Sequence, residues 1–562
     1  MKAAFIATSL ILIFVGQALY LAAANSTVSD EVAHLGAGYS YLKEGHLDLN
    51  PEHPPFIKQL AALPLLFMNL KFPSGNEQYA LGRAFLYQIG NPAERMIFFA
   101  RAVLLPFAVF LGMIIFLWTR DLFGPKAACF SLLLFAFFPE LIIHSSLVTT
   151  DFAATTFFFT AFFFLFRYQR SSGKKDLYLA GITAGVALIS KFSTILILPL
   201  VYFFSIFLAF GEKEDSESFN FSPLVLTLIT AVAVLHRMSA LIFAAPLIFF
   251  WGKRLFPRFS LFQNKRLGQA MAMILVVLSI SFLIVMMDYY EYHYWFEKFR
   301  PLKRYFRGWS IFSGHSTARE HQGFLLDRFS GSGWWYYYLV AMLVKIPLPI
   351  LLAVGLGKFY LWKFRPLSAK DLSFLAIPPA FFLVIACFVN TVNIGVRHVL
   401  PVYPFLLVIA GGSFAWAERL GGKMKSLLPA FLGFWLIAGS LRAFPNYLSY
   451  FNEIAPFLGG KENILGDSNI SWGQDLRRLR DYVRSRHLSQ IQTVIYFNFS
   501  EEMDYYQLPH VEGSRSFKLK EPGLYVLDIY TYQGLVREPG YEWLKNRRPD
   551  DRIGGSFLVF KL

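Results

Sequence analysis

Long apolar runs separated by short polar breaks dominate this chain. A helix rising 1.5 Å per residue needs about 20 apolar residues to cross the hydrocarbon core of a bilayer. By that measure the predicted spans are 3–24, 95–118, 126–143, 152–168, 177–192, 194–210, 221–236, 238–252, 268–288, 334–361, 371–391, 398–416 and 426–442, about thirteen in all. The first resembles a signal peptide, with Lys2, an apolar core and Ala22-Ala23-Ala24. Its core is long for that role, so it reads as an uncleaved anchor.

The stretch 177–210 is too long for one crossing and short for two. Sidedness bears on the choice, because short basic loops stay on the cytoplasmic side. The loop 167–175 carries Arg167, Arg170, Lys174 and Lys175, and the loop 252–266 carries Lys253, Arg254, Arg258, Lys265 and Arg266. Two crossings in 177–210 put both loops on one side, whereas a single crossing separates them. With two, the N-terminus is cytoplasmic and three large segments, 25–94, 289–333 and 443–562, lie outside. The segment 289–333 is long, aromatic and rich in Lys and Arg, and is expected to lie along the surface with a functional role.

After 442 the pattern changes. A helical period at 473–486 is followed by strand-like runs at 491–498, 523–529 and 553–561, which predicts a small α/β unit. The expected fold class is a polytopic α-helical membrane protein: a transmembrane module at 1–442 and a small extracytoplasmic soluble α/β domain at 443–562. There is no internal repeat, which counts against transporters built from repeated halves.

Composition agrees. Of 562 residues, 55% are hydrophobic, 18% aromatic and only 16% charged, with 62 Phe against 39 Gly and a mean hydropathy of +0.45. Soluble domains average about 25% charged. A disordered chain, a disulfide-rich secreted module and an ordinary soluble enzyme are excluded. Cys129 and Cys387 lie in separate apolar runs and make neither a CxxC zinc site nor an expected disulfide. The net charge of +16 reads as cytoplasmic loop charge rather than a nucleic-acid surface.

Chemistry concentrates in the outside segments. Asp30 and Glu31 follow the first span almost at once and open a helical stretch to about Lys43. Thr27-Val28-Ser29-Asp30 fits a capping box. The functional alternative is a carboxylate pair at the membrane surface, able to deprotonate and orient a hydroxyl. Asn50-Pro51-Glu52-His53-Pro54-Pro55 predicts a rigid turn, and 56–69 an amphipathic helix at the interface. A second loop brings Glu140, His144 and Asp151 to the same face; Glu140 and His144 are spaced i, i+4, and Asp151 is placed either to cap the next helix or to act in a site. Cations on the outside run against the positive-inside rule and are informative. They are Lys58, Lys191, Lys345, Arg397, His398 and Arg442. By helix rise Lys345 lies ~16 Å inside its span, ahead of a kink at Ile346-Pro347-Leu348-Pro349. Acids beside buried cations point to a phosphate leaving group next to a base.

In this order and on this side, the motifs resemble the membrane glycosyltransferases of the GT-C fold, specifically family 39, the protein-O-mannosyltransferase-like branch. The residues that carry the resemblance are Asp30-Glu31, Asn50-Pro51-Glu52-His53-Pro54-Pro55, Thr149-Thr150-Asp151, Ser190-Lys191-Phe192, Gly333-Trp334-Trp335 with Lys345-Ile346-Pro347, the Arg397 run, Tyr450-Phe451-Asn452-Glu453, and Asp467 through Leu476. The resemblance implies a polyprenyl-phosphate-linked sugar donor and inverting transfer to a protein, lipid or glycan hydroxyl at the outer face of the cell (inner) membrane. It implies Asp30 as base, with Glu31 and Asp151 beside it in the catalytic set. His53, Lys58, His144, Lys191, Lys345, Arg397 and His398 are the expected substrate-binding residues. No cofactor is certain; a divalent cation at Asp30, Glu31 and Asp151 stays open, without a convincing ligand set. Ser471 departs from the Asp that related sequences often carry before the Trp-Gly-Gln-Asp run, which removes support for chemistry in the C-terminal domain. A lipid-linked sugar transporter or flippase and an oligosaccharyltransferase-like enzyme are the alternatives.

Overall fold

The computed structural model describes residues 2–45, 47–210, 265–289, 300–317, 322–494, 500–512 and 522–562. The predicted spans 221–236 and 238–252 and most of the basic loop 252–266 lie outside the described residues. Among the described residues six helices are long and apolar enough to cross a membrane: Lys2–Ala24, Ala93–Phe123 (broken near Val103), Lys265–Asp288, Ala369–Phe388, Val396–Leu420 and Met424–Ala443. Two bent helix pairs raise the number to eight if each is one crossing. The chain is a multi-pass, mostly helical membrane protein.

One bent pair corrects the sequence reading. The expected span 334–361 is two helices, Tyr337–Lys345 and Leu348–Phe364, meeting at 109°. The cause is local, because Pro347 and Pro349 cannot continue the ladder across Ile346. Lys345 therefore sits at a corner, and a depth computed from straight helix rise does not apply to it. The stretch 177–210 is also broken: Lys174–Ser190 ends at Lys191, whose backbone is extended, and helix resumes through Phe192–Leu196 into Ile197–Phe210.

The abundance of Phe has a structural use. Phe159, Phe163 and Phe166, on one face of the Asp151–Ser171 helix, surround the buried ring of Trp118 at centroid distances of 5.0, 5.7 and 5.4 Å. Phe405 closes this cluster from the Tyr403–Leu420 helix, 4.9 Å from Phe159. Tilted and edge-on contacts of this kind add ~0.5–1.5 kcal/mol per pair beyond area burial. Gly357 lets Leu348–Phe364 lie against that same helix, since a Cβ there would stand 2.0 Å from the Ile409 carbonyl oxygen.

The C-terminal unit holds a five-stranded sheet in the order His510–Glu512, Ile491–Val494, Leu524–Asp528, Phe557–Lys561, Asp551–Ile553. The first three strands are parallel and the last two pairings antiparallel. Leu476, Leu479 and Val483 of the helix Leu476–Ser485 pack on Ile491, Val526 and Val559. The segment before this helix is stitched into the membrane module. Ser26 donates to the Gly473 carbonyl (2.7 Å) and accepts from the Leu476 N–H (2.9 Å), and the Ser29 N–H donates to the Trp472 carbonyl (3.1 Å).

Candidate active site

The helix Ser29–Glu44 begins one residue off the expected cap. The Glu31 carboxylate, not Asp30, reaches back to the N–H of Val28 (2.9 Å), while the Thr27 hydroxyl pairs with Tyr87 OH. Glu31 is fully buried and also accepts from the Val148 N–H (2.8 Å) and, bidentately, from Arg101 Nε (2.8 Å) and Nη2 (2.5 Å). Arg101 sends its remaining donors to the carbonyls of Ala22, Asn25 and Ser26. Glu31, expected in the catalytic set, has its carboxylate engaged in holding the chain where the first span meets the second helix. Arg101, which sequence reasoning passed over, had a signal, since a lone Arg in an apolar run needs a partner.

With Glu31 locked away, Asp30 faces a cavity of about 160 Å³ lined by His34, Glu52, His53, Lys191, Arg397 and His398, among others. Arg397 Nη1 lies 2.7 Å from Asp30 Oδ2 and 3.7 Å from Asp151 Oδ2, and Lys191 Nζ lies 2.5 Å from Asp151 Oδ1. Asp151 therefore binds cations rather than capping its helix, whose N-cap, Thr150, makes no side-chain bond either. The guanidinium of Arg397 stacks over the Trp472 ring at 4.1 Å. Its own loop is gripped by the 466–469 turn: the Val396 N–H donates to Asn469 Oδ1 (2.8 Å), and Ser468 Oγ donates to the Ile394 carbonyl (2.9 Å). Gly395 leaves room for that contact, as a Cβ would stand 2.3 Å from Ser468 Oγ and the hydroxyl would have to move. In that turn Asp467 takes a positive φ of 53°, and burial pushes its carboxyl up to about 7 against the pull of the Ser468 N–H and Arg397.

His34 and His53 meet edge to face at 5.4 Å, and burial holds both imidazoles below their ordinary value, hence neutral. His34 bonds to the Val148 carbonyl (2.8 Å), whereas His53 Nδ1 is buried with no partner among the described residues. Beside this polar cavity lies an apolar one of about 170 Å³, walled by Leu196, Trp309, Phe312, Phe382 and Ile385; it shares Phe312, Asn390 and His398 with the first. Trp309 and Phe312 belong to the helix Arg300–Thr317, within the segment expected to cover the surface.

Three further expected binding residues lie elsewhere. Lys58 is buried, and its ammonium donates to Asn50 O (2.6 Å), Asn50 Oδ1 (2.9 Å), His53 O (2.7 Å) and Tyr41 OH (3.3 Å). Burial pushes it down to about 7, with Glu52 and Asp288 opposing. Its work is to set the Asn-Pro-Glu-His turn so that Glu52 and His53 face the cavity. Lys345 lies 2.8 Å from Glu140 Oε1 and donates to the carbonyls of Leu448 and Asn469, both at 2.8 Å, beneath the Phe451 ring. His144 Nε2 stands 3.4 Å from the other oxygen of Glu140. Neither Lys345 nor His144 lines the Asp30 cavity: both lie in a separate buried cluster around Glu140, Lys345 with its donors placed and His144 with neither ring nitrogen hydrogen-bonded among the described residues.

His34, Tyr79, Asn390 and Trp472 are site residues missed from the sequence. For His34 the i, i+4 spacing from Asp30 was the available signal; Tyr79 and Asn390 had none. With Glu31 held by Arg101, Asp30, Glu31 and Asp151 do not form a three-carboxylate set. Among the described residues no group of three or more His, Cys, Asp or Glu side chains is arranged to hold a metal ion.

Comparison with curated protein sequences gives no match. Among solved structures the chain is similar to ArnT from Cupriavidus metallidurans bound to undecaprenyl phosphate, at 13% identity over 98% of this chain and 97% of that one, with a TM-score of 0.47. It is also similar to the apo oligosaccharyltransferase of Archaeoglobus fulgidus, at 14% identity over 92% of this chain and 61% of that one, with a TM-score of 0.40. Residues 83–236 match the family model described as dolichyl-phosphate-mannose-protein mannosyltransferase, a match that includes Asp151 and Lys191 and bears out the resemblance drawn from the loop motifs.

Proposed function

We propose that this protein is an inverting glycosyltransferase that moves a sugar from a polyprenyl-phosphate donor to an acceptor hydroxyl on the extracytoplasmic face of the cell membrane. In this reading the chain crosses about thirteen times, with the N-terminus inside and the 443–562 unit outside. The observation that carries it is a difference in unused hydrogen-bond donors. A guanidinium has five N–H donors and an ammonium three. Arg101, Lys58 and Lys345 place theirs on protein oxygens. Arg397 and Lys191 bond only to Asp30 and Asp151 among the described residues, and Arg397 Nε is buried without a partner. Both line the cavity. Cations with free donors in a partly desolvated cavity suit a phosphate, which accepts bidentately from Arg. The adjoining apolar cavity suits the first units of a prenyl chain.

The chemistry then runs in one step. Asp30 takes the proton of the acceptor hydroxyl as its oxygen attacks the anomeric carbon. The bond from that carbon to the phosphate oxygen breaks, its electron pair stays on the phosphate, and the configuration inverts. Arg397 and Lys191 stabilise the charge left behind. Asp30 and Arg397 are paired at 2.7 Å before substrate arrives, and a phosphate drawing on the same guanidinium loosens that pair. The base is thus freed only when a donor is in place. His53 Nδ1 is positioned for a sugar hydroxyl. The test is transfer of radiolabelled sugar from polyprenyl-phosphate donors in proteoliposomes. Asp30→Asn is expected to lower it ~10²–10⁴-fold. Survival of transfer would remove Asp30 from the chemistry; lipid movement without transfer would favour a flippase.

A further inference from the structure

A third and larger cavity, of about 650 Å³, lies away from Asp30, where the span Met424–Ala443 ends. Trp435, Gly439 and Arg442 of that helix form one wall; Asn446, Glu453 and Lys461 contribute to the other. Its charge is unbalanced. Glu453 accepts from Trp435 Nε1 (2.7 Å), Lys461 gives one bond to the Gly555 carbonyl (3.1 Å), and Arg442 has no ion pair or hydrogen bond among the described residues. Asn446 Oδ1 is buried without a partner. The flank is lipid-like: Phe431, Phe434 and Leu441 are 59%, 73% and 58% exposed on the helix, and Phe457 on the facing segment is 88% exposed. Phe431, Phe434 and Trp435 lie midway along this helix, at the level of acyl chains, and Arg442 is one residue from its end, at the level of headgroups.

We propose that this cavity binds the headgroup of an anionic glycerophospholipid from the surrounding leaflet. Arg442 and Lys461 hold the phosphate, the acyl chains run along Phe431 and Phe434, and Phe457 dips into the same leaflet. The volume is within the range of small-molecule sites, and a phosphate offsets the excess positive charge that Glu453 leaves. The bound lipid fastens the 446–461 segment, and through it the corner at Lys345, to the membrane. This site does not depend on the glycosyltransferase reading.

The test uses the purified full-length protein in detergent and radiolabelled phosphatidylglycerol. Wild type is expected to retain it through washing and to retain phosphatidylcholine far less. Arg442→Gln with Lys461→Gln should weaken retention about tenfold or more, near 1 kcal/mol per cation at a membrane surface. Gly439→Leu is the second variant. A Cβ at Gly439 meets nothing within 4 Å, so the larger side chain fills the cavity with the charges intact, and retention should fall by a similar factor. Equal retention by wild type and both variants would overturn the proposal, as would equal retention of the two lipids. Displacement of the lipid by inorganic phosphate at equal concentration would also overturn it, because the site would then be one for free anions.

Discussion

Two constellations of the same residue types, acids beside buried cations, are built in opposite ways. Around Glu140 the Lys345 ammonium is closed by one carboxylate, two carbonyls and an aromatic face. Around Asp30 and Asp151 the cations Arg397 and Lys191 face a cavity with donors to spare. Burial is similar in the two: Lys345 is 0% exposed, Lys191 4% and Arg397 8%. Exposure therefore does not separate the two clusters; the number of donors already used does.

That contrast can be broken by substitution. The largest effect is expected in the closed cluster. Lys345→Met strands Glu140 as an unpaired buried charge, at a cost of about 3–5 kcal/mol. Adding Glu140→Gln should recover most of it, and transfer per folded molecule should stay within about threefold of wild type. Thermal unfolding and specific activity, measured together, check this; a collapse of specific activity at normal stability would place Lys345 in the site. Arg101→Met should behave in the same way, since it strands Glu31.

The open cluster should give the reverse result. Arg397→Gln is expected to lower transfer about 10²-fold, with weaker retention of polyprenyl phosphate and a smaller change in unfolding temperature than Lys345→Met. Arg397→Lys should rescue only part, because an ammonium lacks the planar fork. A variant that unfolds but transfers normally would erase the distinction between the clusters.

The last expected effect is confined to a pH window. Asp467 titrates near 7 in the fold against about 3.9 in an unfolded chain. The folded state binds the proton more tightly, so this contribution to stability is complete below pH ~4 and is lost as pH rises to about 7. Asp467→Asn keeps the neutral form, and Asn tolerates the positive φ. Its unfolding temperature should match wild type near pH 4 and exceed it by a few degrees at pH 8. Equal pH profiles would mean that Asp467 is ionised throughout.

Much of this was legible in the sequence. Asp30, Asp151, Lys191, Arg397, His53 and His398 all belong to one constellation, and sidedness plus short motifs picked them out of a chain with 62 Phe. Helix beginnings were also readable, to within the one-residue shift that made Glu31 rather than Asp30 the reach-back residue. What could not be read was which cations were already taken. The oxygens that close Lys345 belong to Leu448 and Asn469, more than 100 positions away, and those that close Arg101 to Ala22, Asn25 and Ser26, more than 70 away. Backbone carbonyls carry no sequence signature, so a saturated lysine and a waiting one look alike until the chain is folded. The 109° corner was half readable, since the prolines announce a break but not its size.

The stitch between Ser26 and Leu476 spans 450 positions, and it sets an order in time. A growing chain places its first helix in the bilayer long before Trp472 exists. Until the last fifth is made, Arg397 lacks its aromatic support and the turn that grips its loop. Contacts of such separation form late, after the loop between them has closed. An unfinished polypeptide thus carries Asp30 and Asp151 but not the turn that holds the Arg397 loop beside them. Biosynthesis itself keeps the enzyme silent until the whole molecule is in place.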